Sequence, residues 1–245
     1  MLFLVGFIPQ FRIPHSEFRI YTMSIINVAI DGPAGAGKST ISRAAAKELG
    51  YIYIDTGALY RTVGLNAMRK GADVNDPESV IATLTDELKV ELRFIDGEQR
   101  MFLCGEDVSD KIRTPEASSA ASKVSAVPEV RKYLFDLQKN LAENNNCIMD
   151  GRDIGTVVLP DAKVKIFLTA SPEARAKRRY AELLEKGMDV KYEDVLADMI
   201  KRDYDDSHRA IAPLKQADDA VLADTSDITL EESIALIIKI IKDNI

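Results

Sequence analysis

The stretch Ile26–Gly50 reads INVAIDGPAGAGKSTISRAAAKELG. An apolar run ends at Asp31, glycines follow at Gly32, Gly35 and Gly37, and Lys38, Ser39 and Thr40 open a pattern of helical period. Gly32-Pro33-Ala34-Gly35-Ala36-Gly37-Lys38-Ser39 matches G-x-x-x-x-G-K-[ST]. Glycines at this spacing let successive backbone N–H groups turn inward around phosphate oxygens. The helix opening at Lys38 adds the positive end of its dipole. Lys38 can reach the β- and γ-phosphates, and the Ser39 hydroxyl can join the shell of a Mg2+ ion. With a strand before it and a helix after it, the loop predicts a nucleoside triphosphate site. It says nothing about the acceptor.

Working outward, strand-like apolar runs fall at 25–31, 51–55, 147–150, 164–168 and 220–223. Helical patterns lie at 38–49, 58–70, 172–186, 192–207 and 230–242. Apolar strands alternating with helices predict a parallel sheet covered on both faces. The stretch 71–146 is far longer than a simple crossover needs. Within it VELRF alternates with period two, Asp96-Gly97 is a hairpin signal, and RMFLC follows. Two helical stretches, 115–125 and 128–141, each open on proline. A hairpin plus helices inside an α/β pattern reads as an inserted subdomain, with a structural embellishment as the alternative.

Net charge is −7, from 39 acidic and 32 basic residues. Bulk attraction to nucleic acid is therefore not expected, and any bound anion must be held by locally clustered arginine and lysine. Cys104 and Cys147 both sit among apolar neighbours and, with only two histidines in the chain, give no metal-ligand spacing. Both are expected to be buried free thiols, as suits a reducing cytoplasm. Residues 1–22 have an apolar head without a basic start or a small-residue cleavage site, and that head is too short to span a bilayer. They read as an upstream extension or a misassigned start ahead of Met23, with a packing arm or a weak targeting signal as alternatives.

Neither a guanine-reading N-K-x-D motif nor an L-S-G-G-Q signature occurs in the chain. A small-molecule kinase would instead need a second anion site and arginines that close over the transferring group. Val195, Met199, Arg202, Asp206 and Arg209 fall on one helical stripe, so an inward face turns charged toward its end. An inward charge needs a partner. The alternatives are an internal Arg202–Asp206 pair and a face that meets an anionic ligand. Arg61, after DTGALY, and Arg152 with Asp153, in MDGRDIGT, follow strands at the carboxyl end of the sheet, where ligands bind in open α/β folds. A sheet-end ion pair is the plainer reading of Arg152 and Asp153. Arg175, Arg178 and Arg179 share one helix face, either solvated or the face of a mobile lid.

Together the segments DGPAGAGKST, DTGALYR, IRT, VSAVPEVR, DGRDIGTVV, KIFLTAS, KRDYDDSHR and APL resemble the bacterial cytidylate (CMP/dCMP) kinases of the P-loop nucleoside monophosphate kinase group. The resemblance runs from about Ile26 to the C-terminus and has no counterpart for residues 1–22. By position it implies acceptor-phosphate contacts from Thr56, Tyr60 and Arg61, with Thr56 where a serine is common. Ser122, Arg131 and Asp153 would read the cytosine edge, Arg152 would clamp phosphate, and Arg202 and Asp206 would hold ribose hydroxyls. Arg209 would lie beside the phosphates. Asp150 would orient the acceptor or hydrated Mg2+. The lid, 172–191, would cover ATP with Arg175, Arg178 and Arg179.

The expectation is thus an α/β P-loop kinase domain over 23–245. It would have a five-stranded parallel sheet, an inserted monophosphate-binding subdomain over 71–146 and a short lid. ATP would be co-substrate, Mg2+ the metal with Ser39 as its protein ligand, and CMP or dCMP the acceptor. Lys38, Arg61, Asp150, Arg152 and Arg209 would serve the chemistry. No nucleic acid or membrane partner is expected, and the enzyme is expected to be a cytoplasmic monomer. A kinase for another acceptor such as UMP or AMP, or a slow ATP-hydrolysing switch, remains the alternative.

Overall fold

The computed structural model describes residues 25–245; the extension expected at 1–22 lies outside the described residues. Five parallel strands form the central sheet: β1 (Asn27–Asp31), β2 (Ile52–Asp55), β6 (Cys147–Gly151), β7 (Val164–Thr169) and β8 (Val221–Asp224), in the order β2-β6-β1-β7-β8. β1 lies at the centre, with Asp31 in register with Gly151 on one side and Phe167 on the other. Its residues Val28–Ile30 are wholly buried, as the run of apolar residues requires of a strand covered on both faces. The carboxyl ends of β1 and β6 therefore lie side by side, which brings the phosphate loop next to Arg152 and Asp153.

Helix α1 (Lys38–Leu49) begins at the lysine of the loop and ends on Gly50 in the left-handed conformation. α1 and α8 (Leu230–Asn244) enclose one core with the sheet, through Ile41, Ala45, Ile166, Ile237 and Ile241. A reciprocal capping box, Thr229 with Glu232, starts α8. Gly32 fixes the loop's departure from β1. A Cβ there would lie 1.9 Å from the Leu168 carbonyl oxygen, and its φ of +152° is one that L side chains rarely adopt.

The long central stretch contains α3 (Pro77–Ile81), β3 (Val90–Ile95), β4 (Glu98–Leu103), β5 (Glu106–Asp107), α4 (Pro115–Val124) and α5 (Pro128–Glu143). β3 and β4 are antiparallel about Asp96-Gly97, both with positive φ, as a two-residue hairpin turn demands. These elements share one apolar cluster with α2 (Thr56–Arg69), which includes Leu59, Val63, Met101, Val130 and Leu134. Against α2, α4 packs so closely that a Cβ on Gly64 would sit 3.0 Å from that of Ala120.

Helices α6 (Pro172–Glu185) and α7 (Tyr192–His208) pack on each other through Ala176, Leu183, Val195 and Met199. Between β6 and β7 the chain makes a π-helical turn, Ile154–Val158. No sequence pattern signals that turn or the short β5, whereas α3 does carry a start signal, with Asp76 capping it and Pro77 opening it. One expectation is corrected outright. Cys147 is buried, but Cys104 is exposed. It stands at φ +49° in the turn after β4, so its apolar neighbours face the core while its own side chain does not.

Candidate active site

A cleft of about 850 Å³ opens at the carboxyl ends of β1, β2 and β6. The phosphate loop, α2, α4, α5, the 150–153 segment, α6, the end of α7 and the start of α8 line it.

At the loop, Lys38 Nζ donates to the carbonyls of Gly32 and Pro33, both at 2.7 Å. Burial, together with the nearby Arg152 guanidinium, lowers the lysine's pKa. Ser39 Oγ donates to Asp150 Oδ2 at 3.0 Å, and the Tyr53 hydroxyl donates to Asp150 Oδ1 at 3.3 Å. Burial raises the Asp150 carboxyl, and the Asp55 carboxylate adds to the effect. Thr56 Oγ1 donates to the Asp150 carbonyl at 2.7 Å, tying the start of α2 to the end of β6.

Asp55 caps α2 by accepting from the Ala58 amide, and its other oxygen accepts from Arg61 at 2.6 Å. Arg152 Nε donates to Asp206 Oδ2 at 2.8 Å. Asp153, 4% exposed, is paired with Arg131 and with Arg209, the latter at 3.1 Å. Arg131 lies over the Tyr60 ring, 5.7 Å from its centroid. Arg209 also donates to the Ala212 carbonyl at 2.7 Å and approaches Ser125 Oγ at 3.4 Å. It thus stands with Asp153 and Ser125. Ser122 lines the cleft from α4.

Two guanidinium nitrogens, Arg61 Nε and Arg202 Nε, are buried without a partner among the described residues. An unpaired buried donor on a charged group is costly, so each marks a place where an anion would complete the site. The internal Arg202–Asp206 pair does not form, because Asp206 turns to Arg152 across the cleft.

The residues expected to line a nucleotide site largely converge here. From Ala34 to Thr40 the loop lines the cleft, as do Thr56, Tyr60, Arg61, Ser122, Arg131, Asp150, Arg152, Asp153, Arg178, Arg179, Arg202, Asp206 and Arg209. Gly32 and Pro33 contribute through the carbonyls that hold Lys38. Arg175 does not line the cleft. It is 2% exposed behind the loop, donating to the carbonyls of Ala34 and Ala170 and pairing with Asp203 on α7. A shared helix face did not give shared surroundings, because α6 presents its first turn to the back of the loop. Several contributors went unnoticed in the sequence, among them Gly57, Ser118 and Ser125. Asp55 and Asp31 close their strands at the ligand-binding end, which is the one signal that could have found them. The 228–233 segment lines the cleft with Ile228, Thr229, Leu230 and Ser233, and carries no motif.

A phosphate loop beside the central strand, facing a second cluster of arginines across one cleft, defines a P-loop kinase of a small acceptor. The chain belongs to the cytidylate kinase family, whose family model matches residues 28–243. The cytidylate kinase of Caldicellulosiruptor saccharolyticus is 49% identical over 218 residues, 89% of this chain and 96% of that protein. That of Lactobacillus johnsonii is 50% identical over 218 residues, covering 89% and 94%. Among solved structures, an uncharacterized protein from Eubacterium ventriosum aligns with a TM-score of 0.51 at 14% identity, over 89% of this chain and 98% of that one, a likeness of fold alone.

Proposed function

We propose that the protein transfers the γ-phosphoryl group of ATP to CMP or dCMP, giving ADP and CDP or dCDP. The observation that carries this reading is the buried Asp153, fixed by Arg131 and Arg209 where it lines the cleft. A carboxylate has about four acceptor positions, so two arginines leave room for the exocyclic amine of cytosine. Uracil offers an oxygen there, and two acceptors would face each other unpaired.

An acceptor phosphate is largely a dianion at neutral pH, with a second pKa near 6. Its oxygen needs no base to attack the γ-phosphorus. Histidine is accordingly not called on, and His208 lies exposed at the end of α7. What the reaction needs is in-line positioning and neutral surroundings for the moving charge. Arg61, Arg152 and Arg202 hold the acceptor's anionic side, and Lys38 leaves its loop carbonyls for the β- and γ-oxygens. The β–γ bridge breaks as the new P–O bond forms, and the electrons stay on ADP.

Ser39 and Asp150 supply adjacent hard oxygens at the loop, which fits Mg2+, an ion that keeps most of its ligands as water and phosphate. Held by Ser39 and Asp150, Mg2+ would offset the charge of the triphosphate. Arg178 and Arg179, from α6, and Ile228–Leu230 would cover the donor. Two cysteines without a disulfide suit a cytoplasmic enzyme, and the reading has it act as a monomer. No helix among the described residues is long and apolar enough to cross a membrane.

A panel of nucleoside monophosphates assayed with ATP and Mg2+ tests the proposal. CMP and dCMP should be phosphorylated far faster than UMP or AMP, and ATP consumption should depend on the acceptor. Equal ATP loss with and without CMP would instead describe a hydrolytic switch.

A further inference from the structure

We infer that Asp31 is a positioning residue for acceptor-base selection: it caps the turn after β6 in place of Asp153, and so leaves the Asp153 carboxylate facing the acceptor. The inference rests on the proposed role of Asp153.

Asp153 occupies the cap position of the Ile154–Val158 turn. An aspartate there ordinarily folds its carboxylate onto the first free amides of the turn, because those N–H groups have no partner within it. Asp153 makes no such bond. Both of its oxygens go to Arg131 and Arg209. The orphan amides are met from another strand. Asp31 Oδ1 accepts from the Ile154 amide at 2.8 Å, and Oδ2 accepts from the Gly155 amide at 2.7 Å. This fit depends on register, since Asp31 pairs with Gly151, two residues before Asp153.

The arrangement holds a charge where burial disfavours it. Burial pushes the Asp31 carboxyl up to about 6, against the pull of its two amides, and the neighbouring Asp153 carboxylate adds to the rise. Two carboxylates thus serve one turn, one satisfying its backbone and the other turned to the cleft. Removing a capping acceptor from Asp31 frees an amide of a turn whose cap position Asp153 occupies, and the Gly155 amide is one a cap side chain takes up. If Asp153 swings back to cap, it abandons the arginines and the acceptor base. A rival role also exists. Asp31 immediately precedes the phosphate loop, and its charge acts on Lys38, so it would serve the donor alone.

The test compares full-length wild type, Asp31→Asn, Asp153→Asn and the double variant. The quantities are kcat/KM for CMP and UMP, and ATP affinity by titration. Asp31→Asn should lower the CMP-over-UMP ratio on the order of tenfold, the worth of one lost buried hydrogen bond, with ATP affinity unchanged. In the Asp153→Asn background the Asp31 substitution should have no further effect on that ratio, since its effect passes through Asp153. A ratio unchanged in Asp31→Asn, or losses that add in full in the double variant, would overturn the inference. So would a change confined to ATP affinity, which assigns Asp31 to the donor. Should Asp31→Asn fail to fold, Asp31→Glu keeps both acceptor oxygens but displaces them by one methylene. A wild-type ratio in folded Asp31→Glu would equally overturn it. A wild type without preference for CMP rejects the proposed function before Asp31 is altered.

Discussion

Asp206 accepts a hydrogen bond from Arg152 Nε at 2.8 Å, although Arg202 stands one helical turn before it on the same stripe of α7. Burial works against its charged form, yet the Arg152 guanidinium, joined by the charges of Arg202 and Arg209, holds the Asp206 carboxyl below its ordinary value. The pair bridges β6 to α7 and leaves Arg202 open to a ligand. Asp206→Ala should cost on the order of 1–3 kcal/mol of stability, because it strands a partly buried Arg152. It should also cost on the order of 1–3 kcal/mol in kcat/KM for CMP, with little change in the KM for ATP. The acceptor sugar discriminates. A 2′-deoxy acceptor lacks one of the hydroxyls that Asp206 is proposed to hold and should suffer less. Equal losses for CMP and dCMP would show that Asp206 serves the Arg152 geometry and not the ribose.

Arg175 and Arg178 lie three residues apart on α6 and should fail in different ways. Arg175 joins three elements, through the Ala34 carbonyl, the Ala170 carbonyl and Asp203. Arg175→Ala removes the donor from two buried carbonyls and a carboxylate, so a loss of about 3–5 kcal/mol in denaturant melts is expected. Arg178 lines the cleft and, among the described residues, bonds only the Thr225 carbonyl. Arg178→Ala should leave the melt near wild type and raise the KM for ATP. The opposite pattern, a stable Arg175→Ala with weakened ATP, would return Arg175 to the donor site.

Gly64 controls how closely α4 approaches α2. A methyl group there would stand 3.0 Å from the Ala120 side chain and 3.3 Å from its backbone, and backbone cannot yield cheaply. Gly64→Ala should destabilise by about 1–3 kcal/mol through overpacking. Ser122 follows Ala120 on the same helix, so the displaced helix should carry it away from the acceptor. The KM for CMP should rise while ATP affinity holds. A variant with normal KM for CMP would mean that α4 shifts without moving Ser122.

What could be read from the chain was local. The phosphate loop was legible because its chemistry sits in eight consecutive residues, and the strand and helix around it follow from period alone. The charged stripe on α7 was legible as a stripe. Its partner was not, since Arg152 lies far away in sequence and periodicity sees only one element at a time. The same limit hid Asp31, whose amides are more than a hundred residues away. The Ile154–Val158 turn reads as strand or loop because a single π turn leaves no repeating pattern. Cys104 misled for a related reason. Its apolar neighbours describe β4, whereas one residue with positive φ turns its own side chain outward.

Asp31 should also leave a signature in the pH dependence of stability. Its carboxyl is held at about 6 in the folded protein, above the ordinary value of 3.8 that the unfolded chain would show. Between those values the folded state binds more protons than the unfolded one. The contribution to stability is therefore fully present below the unfolded value and is lost as pH rises through about 6. A gap of this size corresponds to on the order of 3 kcal/mol. The amide introduced by Asp31→Asn does not titrate, so the stability of wild type relative to that variant should be greatest near the acid end and decline toward neutrality. Urea melts at matched ionic strength from about pH 4 to about pH 6.5, roughly the window between the two values, would measure that difference. A difference that stays flat across the window would place the Asp31 carboxyl at its ordinary value and remove the strain assigned to it. A declining difference would mean that the protein works at neutral pH with a carboxylate its fold disfavours. That cost is understandable only if the charged form is needed, as it is when two amides must be held so that Asp153 can face the acceptor.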